Sequence, residues 1–188
     1  VKKSLLILSA VLLISVFVYP QNKGDLRIGL YQQTYNTGKY NLPQFGVSGE
    51  LFLNKSISLN YNYSMGINAN REVMGHINVA SIGVALSVWY LYELAPYIFM
   101  IPEGISYHAY PNEKVEIAPY INPLGAEINF NENYPLLLSC SFGINLHFKP
   151  TEKFSITPNI GAMWLYKTGE INPSFGLSLN YNFENLIF

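Results

Sequence analysis

The chain has 188 residues, of which 49% are apolar, 15% aromatic and 12% charged, and eleven Lys and Arg against twelve Asp and Glu leave a net charge of −1. Charge is about half the ~25% of an average soluble domain, so no broad basic surface exists for nucleic acid, and the apolar content excludes a disordered chain. A single cysteine cannot form an internal disulfide, and the length suits one domain.

Lys2 and Lys3 precede an apolar run from Leu5 to Tyr19 that only Ser9 and Ser15 interrupt. A short basic segment followed by such a run predicts a secretory signal peptide over residues 1–20. The run is shorter than the ~20 residues of a spanning helix. Cleavage is expected between about Ser15 and Gln21, and no cysteine follows to carry a lipid anchor. Loss of Lys2 and Lys3 leaves nine basic against twelve acidic residues, so the exported domain, 21–188, carries about −3.

Beyond residue 21 the pattern has period two, the signature of strands with two unlike faces. Leu26, Ile28 and Leu30 alternate with Arg27, Gly29 and Tyr31. A polar loop is predicted over Tyr35–Gln44. Phe45, Val47, Leu51 and Leu53 then alternate with Gly46, Ser48, Glu50 and Asn54, with Gly49 on the apolar face. Asn54-Lys55 predicts a tight turn into Ile57, Leu59, Tyr61, Tyr63, Met65 and Ile67, whose polar partners are Ser58, Asn60, Asn62, Ser64 and Gly66. A second loop is predicted over Asn68–Met74. From Ile77 to Tyr110 the chain is nearly all apolar and the alternation fails. Ala80, Ile82, Val84, Leu86 and Val88 keep one phase, while Ile77 and Val79 keep the other. A bulge can switch phase, while Pro96 and Pro102 disfavour a central strand. A short interfacial helix, a turn between strands and a plug all fit residues 89–103.

Pro111–Lys114 predicts a turn and Asn129–Pro135 a loop. Leu138, Cys140, Phe142, Ile144, Leu146 and Phe148 alternate with Ser139, Ser141, Gly143, Asn145 and His147. After a turn at Lys149–Lys153, Phe154, Ile156, Ile160, Ala162, Trp164 and Tyr166 share a face that Pro158 interrupts. Phe175, Leu177, Leu179, Tyr181 and Phe183 alternate with Gly176, Ser178, Asn180 and Asn182.

Runs of about 10–13 residues exceed the 5–6 of an ordinary strand and match the 9–11 of a tilted membrane-spanning strand. The polar face is Ser, Asn and Gly, where a soluble sheet would place charge. Both features predict an all-β fold: a single up-and-down antiparallel transmembrane barrel of eight or ten strands, apolar outside and polar within. Tyr31, Tyr35, Tyr61, Tyr63, Trp89, Tyr90, Tyr92, Trp164, Tyr166 and Tyr181 are candidates for its interfacial aromatic girdles.

From Asp25 to Phe188 these patterns resemble the small outer-membrane β-barrels of the OmpA/OmpX type. The resemblance implies a bacterial outer-membrane location, outer-membrane lipid as surroundings, and a C-terminal strand read by the barrel-insertion machinery. Such strands end in Phe, as Phe188 does. Leu186 fits that register, whereas Asn182 and Glu184 break it, so the strand is expected to stop at Phe183.

Arg27, Glu50, Asn60, Ser141, Asn145 and His147 lie on polar phases and are the candidate lumen residues. Glu50, Glu116 and Glu127 are placed to pair with Arg27, Arg71 or Lys114. His76, His108 and His147 lack metal-ligand spacing, Cys140 falls on the apolar face, and neither a catalytic set nor a cofactor is expected. The predicted role is structural, adhesive or narrow-pore. A soluble lipocalin-like barrel with an apolar ligand inside would swap the two faces, and a lipid-modifying barrel enzyme would use His147 or His108 as base.

Overall fold

The computed structural model describes residues 24–36, 41–67, 73–79, 102–129 and 136–184. The predicted signal peptide, the apolar stretch 80–101 and the C-terminal Phe188 lie outside these residues. Ten strands follow one another: β1 (Leu26–Asn36), β2 (Asn41–Asn54), β3 (Ile57–Ile67), β4 (Val73–Asn78), β5 (Gly104–Tyr107), β6 (Ala109–Asn112), β7 (Val115–Asn129), β8 (Leu136–Phe148), β9 (Phe154–Leu165) and β10 (Ile171–Phe183). All pair antiparallel in one sheet that closes where β1 meets β10. The alternating runs dictate this outcome. An apolar face in lipid needs every backbone group bonded within the sheet, and closure removes the edges.

Ten strands fill eight positions. β4 pairs with the upper part of β3, Ser64 opposite His76, and β5 pairs with the lower part, Ile57 opposite Tyr107. On the other side β4, β5 and β6 pair in turn with β7. The fourth wall position is thus one composite strand, interrupted between Asn78 and Gly104. The ladder crosses the interruption: Glu103 N–H donates to Asn60 O at 2.8 Å, and Leu124 N–H donates to Glu103 O at 3.1 Å. Beside it, β7 carries a bulge between Asn122 and Gly125.

Turns at 55–56, Glu113-Lys114 and 149–153 close one end of the barrel, as predicted from Asn54-Lys55, Pro111–Lys114 and Lys149–Lys153. The opposite end has shorter loops than the sequence suggests. Tyr35 pairs with Leu42 and Asn36 with Asn41, so residues 37–40 alone join β1 to β2. Val73 and Met74 belong to β4 rather than to a loop.

The outward face is apolar, with Leu30 69%, Ile160 66% and Phe45 65% exposed, while the buried residues are predominantly polar. On β9 the apolar face runs from Phe154 to Trp164. Ten residues at about 3.3 Å each, tilted by about 40°, span ~25 Å, the height of a barrel's lipid-facing band. Aromatic contacts mark both rims. Phe154, Tyr181 and Phe183 touch at the short-turn end, and Trp164 packs on Tyr166 at 5.0 Å at the other. Tyr31 and Tyr35 are not girdle residues, because both turn inward. Trp89, Tyr90 and Tyr92 lie outside the described residues. Cys140 is on the outward phase, opposite Trp164, and is only 6% exposed.

Candidate functional site: the lumen

The register brings the interior charges together. Arg27 on β1 lies directly opposite Glu50 on β2 and Asn182 on β10, and Glu116 on β7 lies opposite His147 on β8. Paired residues share a face, so all five point inward near the short-turn end. Arg27 Nη1 donates to Glu50 Oε2 at 2.7 Å, and its two terminal nitrogens fork onto Glu116 at 2.9 and 2.8 Å. Its Nε donates to Asn182 Oδ1 at 3.0 Å. Bidentate pairing of this kind is the strong geometry for guanidinium and carboxylate. Glu116 also accepts from His108 Nδ1 at 2.6 Å and from Lys149 Nζ at 2.6 Å. Two cations and two carboxylates therefore balance in a buried space. Phe52 lies beneath Arg27, its ring centre 5.2 Å from the guanidinium carbon, and Lys149 lies over Tyr110. Lys149 sits just outside β8, and burial holds its ammonium below the usual lysine range despite Glu116.

Nearer the middle is a second cluster. His76 on β4 lies opposite Glu127 on β7. Its Nδ1 meets Glu127 Oε1 and its Nε2 meets Glu103 Oε1 at 2.8 Å. Ionised carboxylates only accept, so with both glutamates charged each ring nitrogen must carry a proton. One imidazolium between two carboxylates leaves one negative charge. Asn62 donates to Glu103 and Gln44 to Glu127. This cluster ties β4 to the residue that re-enters the wall ahead of β5.

Of the candidate lumen residues, Arg27, Glu50 and His147 are placed in the ionic cluster. Asn60 bonds Asn122 at 2.8 Å, and Asn145 accepts from Asn159 at 2.9 Å. Ser141 lines the same cavity, which measures about 70 Å³, room for a handful of waters. Glu127 pairs with His76 rather than with Arg27 or Lys114, and Arg71 lies outside the described residues. His76 and Glu103 were not among the candidates, and His108 was named only as the base of a lipid-modifying enzyme. His76 falls between a predicted loop and the stretch where the alternation fails, His108 sits inside that stretch, and Glu103 follows Pro102. The available signal was their charge or imidazole in an otherwise apolar run.

The loop end is closed differently. Tyr35, Met163 and Leu165 turn inward and pack together with Leu137. The lumen is ionic at one end and apolar at the other, with amides and hydroxyls between.

His108, Glu116 and His147 offer ligand atoms within 4.8 Å of one another. They do not fit a metal. Both Glu116 oxygens are already taken by Arg27, His108 and Lys149, and a divalent ion would add its charge beside two cations.

No family model and no curated protein matches the sequence. Solved structures do match the fold. The N-terminal β-barrel domain of Pseudomonas aeruginosa OprF aligns over 87% of this chain and 100% of its own, at 13% identity and a TM-score of 0.57. The outer membrane protein OprG of the same organism aligns over 89% and 100%, at 8% identity and 0.54. Ail, the attachment invasion locus protein of Yersinia pestis, aligns over 86% and 99%, at 14% identity and 0.51. The chain has the fold of the small bacterial outer-membrane β-barrels.

Proposed function

We propose that this protein is an integral barrel of a bacterial outer membrane, exported by residues 1–20, and that its role is structural rather than enzymatic. The observation that carries the reading is the inversion of faces: large apolar side chains outside, ion pairs and amides inside. A lipocalin-like carrier would need the opposite arrangement. The lumen is occupied at both ends, which favours a closed barrel over a pore. Loops of four to six residues at the loop end (37–40, 68–72, 130–135 and 166–170) leave little material for an adhesive surface. His76, His108 and His147 are each engaged inside the lumen, away from the outer face where an acyl chain of a lipid substrate would lie.

Fractionation of the expressed protein with heated and unheated gel lanes tests the assignment. The expected result is recovery in the outer membrane and a mobility shift on boiling; a periplasmic, heat-insensitive protein would overturn it. In planar bilayers the reconstituted barrel is expected to show no conductance steps, and sustained steps would make it a pore.

A further inference from the structure

The fourth wall position changes hands along β3. Ser64 pairs with His76 of β4, and the next rung belongs to β5, Asn60 with Gly104. β4 is short, six residues against eleven in β3 and fifteen in β7. Side chains bridge the handover. His76 reaches Glu127 of β7 through Nδ1 and Glu103, the residue before β5, through Nε2 at 2.8 Å. Asn62, from the handover itself, donates to the other oxygen of Glu103 at 3.0 Å. His76, Glu103 and Glu127 are at most 2% exposed. The other titratable groups that face this cluster are Tyr31 and Tyr35 from β1 and Tyr120 from β7. From β2, β3 and β8 come the neutral Gln44, Ser64 and Ser139.

We propose that His76 is a proton-operated clasp: with both ring nitrogens protonated it holds the two halves of the composite strand together through Glu127 and Glu103, and loss of one ring proton releases β4 from the wall. A neutral imidazole keeps one N–H and turns a lone pair toward the other carboxylate. One of the two bonds is then replaced by a repulsion, and a buried carboxylate is left short of a donor, which is costly. Glu103 stays where it is, because its backbone is bonded on both sides, to Asn60 and to Leu124. β4 is the part that yields, since it relies on few rungs and on this bridge. The ring lies on the cavity wall, so water there can take up and return the proton. The wall is therefore closed on the acid side of the ring's titration and loosened on the alkaline side. Arg27 keeps its charge throughout, so the ionic cluster at the short-turn end holds while β4 opens.

The test is amide hydrogen exchange, followed by NMR on the full chain folded in detergent micelles, from about pH 6 to about pH 10. Rates for β4 amides are divided by rates for β8 amides in the same sample, so that the intrinsic pH dependence of exchange cancels. Ring nitrogen shifts report the protons on His76, whose signals are identified by their displacement in Glu103→Gln. In the unaltered protein the ratio is expected to rise about tenfold or more as the ring loses its proton. Glu103→Gln should hold the ratio flat, because a carboxamide accepts from the protonated ring through its oxygen and donates to the neutral ring through its nitrogen. A ratio that stays flat in the unaltered protein while the ring titrates would overturn the proposal, and so would an equal rise in Glu103→Gln. A ring that keeps both protons over the whole range would overturn it as well, since the clasp would then never open.

Discussion

Arg27 is the residue on which the closed end of the lumen depends. It contacts Glu50, Glu116 and Asn182 at once from a buried position. Arg27→Met takes the guanidinium from Glu50 and leaves Glu116 with Lys149 and His108, and the expected loss is about 3–5 kcal/mol of folding stability, measured by urea unfolding in detergent micelles. Lys149→Met should cost clearly less, because Glu116 keeps Arg27 and His108. The same lysine gives a pH signature. Burial lowers its folded value below that of an unfolded lysine, so between the two the unfolded chain holds the extra proton. Stability gains from this group as pH rises through that alkaline window, up to about 10.4. The Lys149→Met variant should lack that increment when the two proteins are unfolded side by side across the range.

Strands show where reading a sequence succeeds and where it stops. β3, β8 and β10 are legible because each keeps one phase over its whole length and nothing interrupts the pleat. Phase alone assigns a face, which is why Arg27, Glu50, Asn60, Ser141, Asn145 and His147 could be put on the polar side from the sequence. Tyr31 was misassigned although its phase was correct, because Tyr is also a rim residue, and Tyr35 was put at the start of a loop. What draws Tyr35 inward is Met163 and Leu165, more than a hundred residues away. The fourth wall position was illegible because its halves belong together only through β3 and β7. Close approach within the wall is also invisible to pattern. Gly143 and Gly161 lie opposite each other on β8 and β9, with the Tyr120 hydroxyl over both. A Cβ at Gly143 would meet Ile160 O at 2.4 Å and that hydroxyl at 2.9 Å. Gly143→Ala should therefore cost about 1–3 kcal/mol, as overpacking does, read as a lowered unfolding midpoint. An unchanged midpoint would show that the β9 backbone at Ile160 and Gly161 gives way together with the Tyr120 hydroxyl.

At the scale of the whole molecule, the solvent decides which face is inside. The lipid-facing side chains supply no packed core of their own, so stability depends on the bilayer and on the polar interior together. Leu30→Arg places a charge on the most exposed of the large outward positions. The expected penalty for folding into vesicles is about 2–4 kcal/mol if that position lies at the bilayer midplane. Substitution of Ser178, which faces the lumen, by Thr should be far milder in the same assay.

The composite fourth strand makes the barrel a host and residues 80–103 a guest. Against β3, Ser64 meets His76 above the gap and Ile57 meets Tyr107 below it. Joining Val79 directly to Gly104 removes those 24 residues and brings both halves onto one common register against β3, while the one-residue offset against β7 falls at the bulge between Asn122 and Gly125. It also removes Glu103, the surplus carboxylate at His76. The shortened chain should still close into a heat-modifiable barrel, so that whatever the guest contributes can be subtracted from the host and measured alone.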